Sequence, residues 1–190
     1  MDLDMEQDKI NYTISFLTEW HAGSGLTAGA EADSVVIKDQ DGFPYIPGKT
    51  LKGLFVDSFR DFKALGIEGF NDESFNPLFG FMDKNTKVTS PGSLFFSNVI
   101  LPEEEKSAIG KDHVDFLYRN IASTAIESTT GVAKKSSLRV MEVCIPLSLE
   151  GYIQGADDSD RQLIDQLARY IRNIGANRNR GLGRCSIKLK

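Results

Sequence analysis

The chain has no run of about twenty apolar residues, the length a membrane-spanning helix requires. Its first residues, Met1-Asp2-Leu3-Asp4-Met5-Glu6-Gln7-Asp8, are acidic where a secretory leader is basic and then apolar. Both absences lead us to expect a cytoplasmic protein with no membrane partner. Only two cysteines occur, Cys144 and Cys185, each in an apolar strand-like stretch, and they read as small buried hydrophobes rather than as a disulfide. Two histidines, His21 and His113, leave little material for a metal centre or a paired-histidine nuclease. His113 and Asp115, two residues apart, suit a metal pair or, equally, a solvated helix surface. Positive charge is also short: 22 Lys and Arg stand against 27 Asp and Glu, a net charge of -5. That balance argues against a protein that coats nucleic acid through bulk charge alone.

What is present is one core. The 190 residues, 41% hydrophobic and 26% charged, suit a single domain spanning residues 1–190. Tyr12, Ile14 and Phe16 alternate with Thr13 and Ser15, the period of a strand with one buried face. Residues 18–48 follow as a long loop with Gly23, Gly25 and Gly29, a length that in compact domains is functional or disordered. From Lys49 or Thr50 the positions Leu51, Leu54, Phe55, Phe59 and Phe62 form a helical stripe. Residues 66–92 read as a second inserted loop with room for a short helix, and Leu94–Ile100 as a strand ended by Pro102. The stretch 101–139 is an exposed excursion, with a helix possible from Glu103. Met141, Val143, Ile145, Leu147 and Leu149 alternate along one long strand, 140–153, with Pro146 marking an edge or a bulge. Ser159 can cap a helix carrying Leu163, Ile164, Leu167, Ile171 and Ile174, with Gly175 at its end, and Cys185, Ile187 and Leu189 form a last strand. The order strand, helix, strand, strand, helix, strand predicts an α+β, ferredoxin-like (βαββαβ, RRM-like) antiparallel sheet with both helices on one face.

Positive charge gathers at the bends. Gly175–Arg184 places Arg178, Arg180 and Arg184 around Gly181 and Gly183, and arginine suits bidentate phosphate contacts. The alternative is a solvated turn whose Gly175 caps a helix. Tyr45–Gly53 runs through Pro47-Gly48 into a helix whose first turn carries Lys49 and Lys52, where free N–H groups and the helix dipole favour a phosphate. The same residues also suit a plain entry turn with solvated lysines. The Gly-Lys-Thr ending is not a nucleotide-binding P-loop, because five residues separate Gly42 from Gly48 and two of them are proline. Lys134, Lys135 and Arg139 are a third basic group, suited to a polyanion or to solvent. His21 sits in the glycine-rich loop as a free imidazole or a structural one. Asp33 and Asp39 bracket Val35-Val36-Ile37, as turn formers or, for Asp33, as a ligand for a divalent ion beside an RNA phosphate.

Together these stretches resemble the RAMP superfamily of CRISPR-associated proteins, and within it the backbone subunits of type III (Csm/Cmr-like) effector complexes. The resemblance is carried by Asp33–Asp39 followed by Tyr45–Gly53, by Thr130–Lys134 with Ser137-Leu138-Arg139, and by Asn179–Arg184. It implies a ferredoxin-like core that stacks along a CRISPR guide RNA with copies of itself or homologous RAMP proteins. It further implies that Lys49, Lys52, Arg178, Arg180, Gly181, Gly183 and Arg184 hold RNA, together with Lys134, Lys135 and Arg139 on a thumb-like insertion within 101–139. Asp33, with Mg2+ or another divalent cation, is implied to cut a bound target RNA, and His21 matches a loop histidine of the family. Two other readings follow from the same resemblance: a non-catalytic guide-binding subunit, and a guide-processing ribonuclease acting through His21.

Overall fold

The computed structural model describes residues 9–26, 32–82, 87 and 89–190; the acidic stretch 2–8 and Gly29 lie outside the described residues. In chain order the elements are β1 (Lys9–Phe16), β2 (Tyr45–Ile46), α1 (Gly48–Ala64), α2 (Asp72–Phe79), β3 (Gly80–Met82), β4 (Thr89–Pro91), β5 (Phe95–Phe96) and β6 (Val99–Ile100). Next come α3 (Glu103–Ile109), a 3-10 turn at Lys111–Leu117, β7 (Tyr118–Ser123), β8 (Arg139–Cys144), β9 (Ser148–Gln154) and α4 (Asp158–Tyr170). A 3-10 turn at Arg178–Arg180 leads into β10 (Cys185–Leu189).

The main sheet has the order β10-β1-β9-β6-β2, with β5 also on β9, and its neighbours are antiparallel. Counted as the four principal strands, this is fourth, first, third, second, the ferredoxin-like α+β arrangement expected from the element order. The period-two pattern of β1 does what it predicts: Ile10, Tyr12, Ile14 and Phe16 are buried, and Asn11 is exposed. α1 lays Leu51, Phe55 and Phe59 on the sheet, each fully buried and each worth about 1.5–3 kcal/mol by transfer from water. Phe55 meets Phe96 at 5.1 Å between ring centres. α4 contributes Ile164, Leu167 and Ala168 to the same layer. Phe62 and Tyr170, edge to face at 4.7 Å, join the two helices.

Four local expectations are revised. The strand expected over 94–100 is two short pieces, because its register against β9 slips by one residue between Phe96 and Ile100, a bulge at Ser97-Asn98. The bulge is used: the Ser97 hydroxyl accepts the Tyr152 N–H at 2.8 Å, and Asn98 Oδ1 accepts the Gly48 N–H that starts α1 at 3.0 Å. The strand expected over 140–153 also breaks, at Ile145-Pro146-Leu147, so that β8 pairs with β7 as a separate hairpin while β9 stays in the sheet. α4 is capped by Asp157, reciprocally with Asp160, rather than by Ser159. It ends at Tyr170, five residues before Gly175.

Candidate nucleic-acid interface

The β7–β8 hairpin rises beside the turn that precedes β10, and the segment from Asp33 to Lys38 is strapped along β8 between them. The Asp33 N–H donates to Val140 O at 2.8 Å, and the Val140 N–H donates back to Asp33 Oδ2 at 2.7 Å. Two residues on, the Glu142 N–H donates to Ser34 O at 2.9 Å, while the Glu142 carboxylate accepts the Val36 N–H and pairs with Lys38, both at 2.9 Å. The strap fixes Asp33 at the mouth of a cavity of about 560 Å³. Arg139, Asn177 and Arg180 share that cavity, and the apolar side chains of Ile121, Met141 and Leu182 complete its wall. Three chain-distant stretches singled out in the sequence therefore meet at one place.

The arginine-rich turn works in two directions. Arg180 lines the Asp33 cavity, whereas Arg178 and Asn179 line a second cleft with Leu54, Asp57 and Ser58 of α1. Gly53 and Lys49 lie one and two helical turns before Asp57 on the same stripe, and both are exposed. Lys49 at the start of α1 and Arg178 of the turn thus place cations on the two elements that flank this cleft, which Asp57 and Asp61 also line. Lys52 is not part of it: its ammonium donates to Leu94 O at 2.8 Å, and burial pulls its pKa below the usual lysine range. Lys134 and Lys135 are exposed beyond the hairpin, where Ser137 Oγ donates to Lys134 O at 2.7 Å and holds the tip closed. Arg184 has an exposed side chain, and its backbone N–H donates to Thr18 Oγ1 at 3.0 Å.

The glycines divide by role. Gly183 (φ +71) turns its α-carbon toward Ile174 O, which would lie 2.0 Å from an added Cβ, and Gly175 approaches His21 O with a Cβ gap of 2.3 Å. Both are glycine because the chain packs against itself there. Gly181 (φ +89) has nothing within 4 Å of that position and faces open space.

His21 is corrected from a candidate acid–base group to a buried strut. It is 2% exposed, with Nδ1–H donating to Glu142 O at 2.6 Å, so Nε2 accepts the Ser34 hydroxyl at 2.9 Å. Both ring nitrogens are used, and none is left for a substrate. Its backbone O also accepts the Ala176 N–H at 2.9 Å, which ties the arginine turn to the Asp33 strap. Asp39 is a turn former: Oδ1 accepts the Asp41 and Phe43 N–H groups, and Oδ2 pairs with Lys106 at 3.1 Å.

Sequence reasoning missed Asn177, which takes the left-handed conformation (φ 54°) and lines the cavity; asparagine before a basic turn is the signal that offers it. The apolar wall carried no signal, since Ile121 and Met141 read as ordinary strand residues. For a divalent ion the fit is narrow. Among the described residues no group of three Asp, Glu, His or Cys side chains could hold one, and Asp33 is the sole carboxylate of the cavity. Magnesium bound through one carboxylate takes the rest of its shell from water and substrate phosphates, which this cavity would admit.

Among the described residues no helix is long and apolar enough to cross a membrane. No curated protein sequence matches the chain. By structure it is similar to a chain of type III-B Cmr-beta bound to cognate target RNA, solved by cryo-EM, at TM-score 0.71 and 12% identity over 95% of this chain and 96% of that one. It is similar also to a chain of the apo state of type III-B Cmr-beta, at TM-score 0.69 and 12% identity over 97% and 98%. The family model of the RAMP superfamily matches residues 13–186, nearly the whole folded body, and the chain belongs to that superfamily.

Proposed function

We propose that the chain is a backbone subunit of a type III CRISPR effector complex, in which it holds guide RNA and cuts the complementary target RNA at Asp33. The single observation that carries this reading is the cavity that Asp33, Arg139 and Arg180 line together. Its membership of the superfamily and the likeness of its fold to Cmr-beta chains support the assignment to such a complex. A strip through the exposed Lys49, Arg178 and Arg180 would suit a ribose–phosphate strand, and the exposed Gly181 lets a backbone approach the turn closely. Neighbouring copies or homologous subunits would continue the strip along the guide.

In the cavity the residues divide the work. Asp33 Oδ2 is held by the Val140 N–H, so Oδ1 is the oxygen presented to a ribose 2′-hydroxyl. The carboxylate orients that hydroxyl toward the adjacent phosphorus. The new 2′-O–P bond forms as the P–O5′ bond breaks, and the proton passes to the leaving 5′-oxygen. Arg139 and Arg180 would offset negative charge on the phosphoryl oxygens. A divalent ion bound through Asp33, Mg2+ being the expected one, would supply further Lewis-acid stabilisation of that phosphate.

Asp33→Asn tests the assignment, because the amide oxygen can still accept the Val140 N–H while the charge is lost. The assembled complex should keep its thermal stability and target binding and lose cutting. Undiminished cutting by this variant would refute the catalytic role. A non-catalytic guide-binding subunit is the second reading, favoured by one observation: the Asp33 carboxylate already serves a structural bond to Val140. Asp33→Ala then lowers stability in a complex whose cleavage never depended on this position. The guide-processing reading loses its acid–base group to the burial of His21.

A further inference from the structure

α1 and α4 cover one face of the main sheet, and the side chains of its other face are not buried. Along β1, Lys9, Asn11, Thr13 and Ser15 alternate with the buried Ile10, Tyr12, Ile14 and Phe16, and each of the four is exposed or half-buried. Strand register extends this face to both sides. Asn11 stands opposite Tyr152 of β9, Lys9 stands opposite Gln154, and Gln154 in turn stands opposite Phe95 of β5. Lys190, just past β10, donates its N–H to Asn11 O at 2.7 Å and so lies on the other side of Asn11 from Tyr152.

Two rows of the same make-up result. Tyr152, Asn11 and Lys190 form one, and Phe95, Gln154 and Lys9 form the other, each with a ring, an amide and an ammonium in that order across the sheet. The rows are two residues apart along β9, about 7 Å, and the two rings stand 6.1 Å apart between centres. Phe95 is 55% exposed while its neighbour Phe96 is buried against Phe55, so core packing does not require a ring at 95. The order also has a direction. α3, with Glu103, Glu104 and Glu105, follows β6 on the ring side of the sheet, and these acids border the cleft of about 750 Å³ that Asn11 and Tyr152 line. Phosphate is therefore disfavoured beside the rings and favoured beside the lysines. Glu150, the acid of the open face itself, is paired with Lys190 at 2.6 Å.

A nucleotide presents the same three parts: a flat base, a hydrogen-bonding base edge and a phosphate. Stacking on exposed rings of an open sheet face, with cations beside the backbone, is how such surfaces hold single strands. A peptide strand cannot add here, because β1 and β9 are paired on both sides. A folded partner would call for an apolar patch poor in charge, whereas beyond the rings this face is hydroxyl, amide and lysine. We propose that the open face binds single-stranded RNA, two successive nucleotides stacking on Tyr152 and Phe95, with Asn11 and Gln154 at the base edges and Lys190 and Lys9 at the phosphates. The Lys9 ammonium lies 4.9 Å from the centre of the Tyr152 ring. A base takes its place, since stacking outweighs an exposed cation–π contact, and the ammonium turns to the phosphate. That the strand is RNA rests on the function proposed above, but the site lies apart from Asp33. The arginine turn meets the chain just beyond β1, where the Leu17 N–H donates to Arg184 O, and Lys9 begins that strand about 24 Å away.

Fluorescence anisotropy with a labelled uridine octamer tests the face, using the full chain already carrying Arg178→Ala/Arg180→Ala/Arg184→Ala so that the arginine turn contributes nothing. Adding Phe95→Ala/Tyr152→Ala should weaken binding at least about tenfold, whereas adding Phe95→Tyr/Tyr152→Phe should leave it unchanged. A ribose–phosphate octamer without bases should bind all three proteins equally weakly. Should the alanine variant fail to fold by circular dichroism, ultraviolet cross-linking of the unaltered chain to the uridine octamer replaces it, and mass spectrometry should find adducts on the peptides that carry Phe95 and Tyr152. Unchanged binding by a folded alanine variant would overturn the proposal, as would equal binding of the two octamers before the rings are removed. Adducts confined to the arginine turn and the β7–β8 hairpin would do the same. Loss of a subunit from the assembled complex through Phe95→Ala/Tyr152→Ala, with octamer binding unchanged, would also overturn it and give the face to a protein. Cutting at Asp33 enters none of these readouts, so failure here and failure of the catalytic reading are told apart.

Discussion

Replacing Gly183 and Gly181 by alanine, one at a time, separates what the arginine turn does for its own fold from what it does for a ligand. Both have positive φ, so each replacement costs about 1 kcal/mol or somewhat more in backbone strain. At Gly181 nothing else is disturbed, since its Cβ would enter open space. At Gly183 the Cβ would fall 2.0 Å from Ile174 O, and neither backbone can give way without losing bonds. The bonds at risk are Gly183 N–H to Glu19 O at 2.7 Å and Ile174 N–H to Gly183 O at 2.9 Å. At roughly 0.5–1.5 kcal/mol each, their loss brings the total for Gly183→Ala to about 2–4 kcal/mol. For a chain of this size that is a fall in Tm of roughly 4–16 °C, against about 2–4 °C for Gly181→Ala. Thermal melts followed by circular dichroism read the first effect. Guide RNA recovered with the assembled complex reads the second, and there the order should reverse, with Gly181→Ala losing RNA while it remains folded. Equal melting temperatures for the two variants would refute the close-packing argument, and full RNA retention by Gly181→Ala would refute close backbone approach at that turn.

Three further outcomes are expected. Arg178→Ala/Arg180→Ala/Arg184→Ala should weaken single-stranded RNA binding across sequences and flatten its log–log salt slope by about 0.7 for each phosphate that is no longer neutralised, measured by fluorescence anisotropy. His21→Ala should lower stability by about 2–4 kcal/mol in a urea titration, because a carbonyl and a hydroxyl are deprived of a shared buried partner. Burial raises both thiols, Cys185 to about 12 and Cys144 further, so above pH 9 the folded state holds protons that the unfolded chain releases. Stability should then fall with rising pH by up to about 1.4 kcal/mol per unit for each thiol, and iodoacetamide should label neither until the chain is denatured.

The parts of the fold legible in the sequence are those whose burial is one-sided. β1, α1 and α4 each set a polar face against an apolar one, and Ile10, Leu51 and Leu167 are buried as their spacing requires. The alternation through Met141, Val143, Ile145, Leu147 and Leu149 misled because it continues across a change of partner. Val143 in the hairpin and Leu149 in the sheet have the same parity and are both fully buried. Periodicity records which side of a strand is dry, and says nothing of which strand lies beside it. Lys52 and His21 misled for a related reason. Whether a polar side chain in a glycine-rich context is free depends on which distant carbonyl lies within reach, here Leu94 O and Glu142 O.

The acidic balance of the chain is the one sequence feature that weighs against RNA, and the structure shows why it weighs little. Charges farther apart than about 8 Å in physiological salt are largely screened, so a phosphate responds to the groups beside it rather than to the total. Glu103, Glu104, Glu105 and Glu150 line a cleft of their own, which shares no residue with the Asp33 cavity or with the cleft at Arg178. Around Asp33 the local balance is the reverse: one acidic and two arginine side chains line the cavity. A chain of net charge -5 can therefore present a locally cationic cavity, provided folding sorts its charges. The sorting depends on the His21 strut, whose backbone oxygen holds Ala176 and whose ring holds Ser34 and Glu142, so that the turn carrying Arg180 and the strap carrying Asp33 are fixed by one residue.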